Sequence, residues 1–190
     1  MQDRLYYGAD YLWLALGVVW LIGALSVKRT ERTQTSSSRM RHLALEVAAF
    51  FLIFGRVQWP GWLDWRFIGE QLTARWIGLA LTAIGIGFAI AARLWIGSNW
   101  SGRVTIKERH QLIQSGPYAL VRHPIYSGFL LALLGTALVH GELRGLLGFA
   151  LAALGWVLKL RTEETFLSQQ FGDAYLDYKQ RVKALVPFVV

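Results

Sequence analysis

The chain has 190 residues, of which 54% are hydrophobic and only 17% charged, with a formal net charge of +8. A mean hydropathy of +0.36 is high for a soluble domain, and the length suits one domain over 1–190. Cysteine is absent, which excludes disulfides, thiolate catalysis and cysteine metal sites.

Met1-Gln2-Asp3-Arg4 lacks a basic leader region and no small-residue cleavage pattern follows, so the apolar run Tyr11 to Val27 reads as a retained span. Leu43 to Trp59 is a second span, carrying Glu46 and Arg56. The two sit ten residues apart, about 15 Å along a helix, too far to pair with each other. Ala74 to Ile96 is a third span, interrupted by Arg75 and Arg93. Ile125 to Val139 and Leu143 to Leu158 are shorter than the roughly 20 residues of a full span and are joined by a tight polar turn. They read as a helical hairpin, spanning or partly re-entrant. Tyr175, Tyr178 and Val182 then share one helical face, predicting a C-terminal amphipathic helix. The expected fold is all-α, a multi-spanning transmembrane helical protein of five spans, with 1–98 holding the first three. Glycines repeat at seven-residue intervals (Gly78/Gly85, Gly128/Gly135, Gly148/Gly155), giving each helix a smooth strip for close packing. Tryptophans 59, 62, 65, 76, 95 and 100 flank the apolar runs, as an interfacial belt would.

Basic residues orient the chain. Lys28 to Arg41, Arg93 to Arg122 and the tail from Lys159 to Lys183 carry five each. The alternate segments hold Arg4, then Arg66 and Arg75, then Arg144. By the positive-inside rule the N-terminus lies outside and the rich segments face the cytoplasm. The net positive charge is accounted for by this topology and by attraction to anionic membrane lipids. No stacking platform or groove-reading helix accompanies it, so nucleic acid is not an expected partner.

Two polar clusters stand out between apolar runs. The first is HQLIQSGPYALVRHPIYSG, from His110 to Gly128. Ser115-Gly116-Pro117 is a turn signal, and Pro124 biases His123 toward extended backbone and then opens a helix. The first-turn amides of Ile125, Tyr126 and Ser127 lack intrahelical acceptors and suit an anionic group. The second cluster is Arg161-Thr162-Glu163-Glu164, which the apolar hairpin returns beside Arg122-His123. Polar groups at both ends of an apolar hairpin usually build a site between them. The histidines have no metal-ligand spacing, so no metal is expected. Gly85-Ile86-Gly87 lies in an apolar helix without a preceding strand, which rules out a Rossmann site.

The spaced set His110, Tyr118, Arg122-His123-Pro124, Tyr126, Gly128 and Glu163-Glu164, with the tail pattern FG-x-x-Y-x-x-Y, resembles the isoprenylcysteine carboxyl methyltransferase family. The resemblance runs from about Asn99 to Pro187. It implies a cofactor-binding and catalytic region over 99–190 and use of S-adenosyl-L-methionine, with S-adenosyl-L-homocysteine as product. The residues it assigns to the cofactor are His110, Gln111, Leu112, Ile113, Tyr118, His123, Pro124, Ile125, Tyr126, Glu163 and Glu164. Only one of the adjacent glutamates can point directly at the cofactor. It implies a basic residue for the methyl acceptor, with Arg161 preferred and Lys159 second, and Arg161 and His123 orienting charge in catalysis. The implied acceptor is a lipophilic carboxylate entering from the bilayer, and the basic-residue topology puts the site on the cytoplasmic side of what is expected to be the inner cell membrane. Phospholipid and other small-molecule N- or S-methyltransferases are the alternative within the resemblance. A membrane reductase using NADPH, and a non-enzymatic membrane scaffold or small transporter subunit, are the alternatives from other classes.

Overall fold

The computed structural model describes residues 2–24, 30–33, 36–69, 71–97, 100, 105–107 and 111–188. In chain order these form α1 (Gln2–Ala24), β1 (Thr30–Thr33), α2 (Ser36–Phe54), α3 (Leu72–Ile96), β2 (Thr105–Lys107), α4 (Pro117–Leu120), α5 (Pro124–His140), α6 (Leu143–Phe171) and α7 (Asp173–Arg181). The all-α expectation holds for the body of the molecule. Among the described residues it is joined by the short antiparallel pairing of β1 with β2 and an isolated bridge between Arg66 and Glu142.

Among the described residues, three helices are long and apolar enough to cross a membrane by length and composition: Leu5–Gly23, Leu72–Ile96 and Leu143–Phe171. Helix α5 is apolar but shorter. The outward faces are apolar too, with Leu14, Leu21, Ile22, Val47, Ile84 and Leu154 all exposed. A water-facing bundle would carry polar residues there; lipid-facing helices do not need them.

The glycine strips decide the packing. α3 and α5 run antiparallel in backbone contact. A Cβ on Gly78 would stand 2.6 Å from the Gly135 carbonyl oxygen, and one on Gly85 would stand 2.5 Å from that of Gly128. No side chain fits at any of the four. The α6 strip faces another partner, Gly148 lying against Ala49 and Ile53, and Gly155 against Leu45, all of α2. So α5 and α6 form the expected hairpin, yet each packs chiefly against another helix. Gly141, at φ 69°, closes the turn between them in the left-handed conformation glycine adopts without strain. A core of Ala49, Ile53, Leu133, Ala152 and Trp156 fills the space between the two pairs.

Two boundaries differ from the sequence reading. α2 ends at Phe54, not at Trp59, because Gly55 and Pro60 interrupt the helix. α6 does not stop at Leu158 but continues to Phe171, since Lys159 to Phe171 holds no glycine or proline and Gly172 comes next. Arg161, Glu163 and Glu164 therefore sit within a helix and are displayed at fixed angles around it.

The two arginines within α3 are buried. Arg93 donates to the carbonyls of Gly23 (2.6 Å) and Gly97 (2.9 Å) and lies over the Trp100 ring, tying the end of α1 to the end of α3. Arg75 lies over the Tyr6 ring at the other end of the bundle.

Candidate active site

The loop from Gln111 to His123 is held by the C-terminal tail. The amides of Arg122 and His123 donate to the carbonyls of Lys183 (2.8 Å) and Ala184 (3.0 Å). Ser127 Oγ donates to the Leu185 carbonyl, and the Tyr178 hydroxyl to that of Tyr118. Burial lifts the Tyr178 hydroxyl to a pKa of about 12, so it stays protonated and remains a donor. Tyr175 is buried beside it on the same face of α7, as the tail pattern predicts, whereas Val182 lies just past the helix end.

Two acidic side chains on α6 meet this loop. Glu164 is nearly enclosed and accepts from Arg122 Nε (2.8 Å) and Lys179 Nζ (2.7 Å), with His123 Nε2 at 3.3 Å. Glu163 accepts from the Tyr126 hydroxyl (2.7 Å), and its second oxygen lies 3.5 Å from His123 Nδ1. Both imidazole nitrogens thus face carboxylates, an arrangement in which both donate only as imidazolium. Burial acts to lower the His123 pKa, but the hydrogen bonds and charges of Glu163 and Glu164 outweigh it and the net direction is upward. The His123 ring stacks on Tyr126 (5.7 Å between centroids), and Tyr126 on Trp156 (6.1 Å).

Two cavities flank this network. One is a narrow cleft of about 60 Å³ lined by Gln111, Leu112, Ile113, Tyr118, Tyr175 and Tyr178 among others. The other, about 450 Å³, is walled by Trp13, Trp20, Phe129 and Trp156, with Tyr126, Glu46 and Lys159 also on its lining.

The structure therefore brings His123, Tyr126, Glu163 and Glu164 together and places Gln111, Leu112, Ile113 and Tyr118 on one cleft beside them. Pro124 and Ile125 are buried in the first turn of α5, where the Ser127 amide is already taken by the His123 carbonyl. His110 lies outside the described residues. Arg161 is exposed and its side chain joins no ion pair among the described residues, whereas Lys159 reaches the larger cavity. Two participants were not among the expected site residues. Arg122 stood in the motif, but nothing in spacing alone showed that it would embrace Glu164. Lys179 lies in α7, and only the folded tail brings it near.

The matching family model is that described as phospholipid methyltransferase, and it covers residues 73–174. The chain belongs to this family. It is 36% identical over 88 residues to protein-S-isoprenylcysteine O-methyltransferase B of Arabidopsis thaliana, covering 46% of this chain and 45% of that protein. It is also 37% identical over 100 residues to the cobalt-zinc-cadmium resistance protein CzcN of Cupriavidus metallidurans, covering 52% of this chain and 44% of that protein. Among solved structures, a eukaryotic intramembrane Ras methyltransferase, isoprenylcysteine carboxyl methyltransferase, matches with a TM-score of 0.51 and 26% identity. That match covers 82% of this chain and 54% of the other. The chain spans about half the length of these relatives. The resemblance read from the sequence is borne out at the level of family, and with the apolar helices it makes this an integral membrane protein.

Proposed function

We propose that this chain is a membrane methyltransferase that uses S-adenosyl-L-methionine to methylate the carboxylate of a lipophilic acceptor. The observation that carries the reading is the Glu163–His123–Glu164 network set between an aromatic cleft and an apolar cavity. Its donor set fits the cofactor. Glu163, whose side chain is 20% exposed, offers a carboxylate to an ammonium, a sulfonium or ribose hydroxyls. Tyr118, Leu112 and Ile113 offer apolar faces to an adenine, and Gln111 a polar edge. That cleft alone takes only part of the cofactor. When bound, the cofactor supplies a sulfonium methyl, to which an acceptor oxygen bonds as the carbon–sulfur bond breaks and its electron pair stays on sulfur.

The chain's own groups do the rest. An ionised carboxylate needs no general base, so alignment and removal of water from the nucleophile carry the catalysis. The tryptophan-lined cavity accommodates an apolar chain, and Lys159 on its wall faces the acceptor's negative charge. This assigns Lys159 the acceptor role first expected of Arg161. Glu164 holds Arg122, His123 and Lys179 in register and is a positioning residue. α2 and α5 complete five spans, with the site facing the cytoplasm of the inner membrane. Reporters fused at Ser37 and after residue 190 should both stay cytoplasmic, and export of either overturns this topology.

The test is direct. Protein purified in detergent should bind S-adenosyl-L-methionine and not NADPH, and should transfer labelled methyl to lipophilic carboxylates in preference to amines and thiols. Binding of NADPH alone, or transfer only to amines, replaces this reading with one of its rivals.

A further inference from the structure

Glu46 stands in α2 on the wall of the apolar cavity, where neither the methyl transfer nor the cofactor reading uses it. Its partners are Lys159, with Oε1 3.8 Å from Nζ, and the Trp156 side chain. A separation of 3.8 Å lies beyond hydrogen-bonding distance, so this is an ion pair without a hydrogen bond. Lys179 and Glu164, at 2.7 Å, show what a committed pair looks like in the same molecule. Among the described residues Lys159 donates no hydrogen bond, and its ammonium lies 5.4 Å from the centre of the Tyr126 ring. Three ammonium donors thus face a cavity whose nearest carboxylate, Glu46, is hydrogen-bonded to Trp156 and not to Lys159, with Glu163 the other acid acting on Lys159.

We infer that Glu46 stands in for the acceptor's carboxylate, holding Lys159 until an acceptor displaces it, and so limits the affinity for acidic acceptors. This rests on the proposed carboxylate methylation. An incoming carboxylate makes its hydrogen bonds to Lys159 without breaking any, but it must approach against the Glu46 charge. Like charges so placed weaken binding.

The experiment measures methyl transfer to an N-acetylated S-isoprenylcysteine by the full chain in detergent, with binding of its carboxamide analogue as a control. Glu46→Gln should lower KM for the acid by about 10-fold, with cofactor affinity and carboxamide affinity unchanged. The effect should vanish in a Lys159→Gln background. A structural pin between α2 and α6 would instead lower the melting temperature and leave KM unmoved, which overturns the inference while the carboxylate reading stands. A raised KM for the acid, or loss confined to amine acceptors, also overturns it and makes Glu46 a ligand for an acceptor's ammonium. No transfer to any carboxylate by the unaltered protein overturns both. If Glu46→Gln fails to fold, Glu46→Asp withdraws the charge by one methylene and should shift KM the same way by a smaller factor.

Discussion

The bundle has ionic clusters at both ends, and their partners differ. At the end formed by Tyr6, His140, Glu142 and Arg144, donors go to the frame of the fold. Arg144 Nη1 donates to the carbonyls of Leu52 and Ile53 at the end of α2, and its other nitrogens face Glu142 and Asp64. Tyr6 donates to the His140 carbonyl and stacks on its ring. At the other end, Glu163 and Glu164 bind side chains from α5, α7 and the loop before them, and Lys159 keeps its donors for the cavity. Both clusters border a cavity, but the first directs its arginine donors to helix-end carbonyls, whereas the second leaves the Lys159 ammonium without a hydrogen bond among the described residues. Cavity size alone points the wrong way, since a cavity larger than either of those beside the site, about 580 Å³, lies at the capping end.

The largest expected effect tests the most heavily partnered group. Glu164→Gln leaves Arg122 and Lys179 facing a neutral amide, and breaking a buried ion pair from one side costs about 3–5 kcal/mol. The prediction is a lower unfolding midpoint in detergent and loss of all activity. Retained stability would remove Glu164 from its positioning role. Glu163→Gln should behave differently. The amide oxygen still accepts from Tyr126, so the fold survives, but a charge-assisted bond to the cofactor worth about 1.5–3 kcal/mol is lost. Calorimetry should show affinity for S-adenosyl-L-methionine falling by about 10- to 150-fold, and unchanged affinity would refute the assignment. At the opposite end, Arg144→Met should cost about 2 kcal/mol of stability, through uncapped carbonyls and a Glu142 left with only Arg66, at 3.7 Å, as its ionic partner. Cofactor affinity measured on the folded fraction should not move; if it falls with stability, the division between the two ends is wrong.

The glycine strips, the hairpin and the meeting of His123 with the paired glutamates were legible in the sequence, because spacing and polarity in an apolar chain leave few alternatives. Which strip meets which was not legible. Seven-residue glycine spacing recurs in three helices, and only three-dimensional packing pairs α3 with α5 and α6 with α2. The continuation of α6 past Leu158 was hidden because hydropathy falls there although helix propensity does not. That extension fixes the rotation of each side chain. It leaves Arg161 exposed while Lys159 and Glu163, four residues apart and so on one face, turn inward. Lys159→Gln should therefore raise KM for a carboxylate acceptor by about 10-fold or more, as expected for one lost charge-assisted contact. Arg161→Ala should change it by less than about 2-fold, within the range of an exposed charge. The reverse order in a steady-state assay would restore Arg161 to the acceptor.

The smallest effect is in pH. The His123 pKa is raised in the folded protein, so its imidazolium adds stability that is complete below the unfolded value near 6.5 and is lost as pH rises through the folded value. Unfolding midpoints measured in detergent from about pH 6 to about pH 9 should fall across that window. His123→Phe should flatten the fall, because the two carboxylates no longer have an ionisable partner between them. His140→Phe, at the opposite end, should keep it, because His140 takes part through its backbone carbonyl and its ring stacking on Tyr6. A profile flattened equally by both substitutions would mean that the pH response belongs to the bundle as a whole, and the paired carboxylates would then lose their claim to a charged histidine.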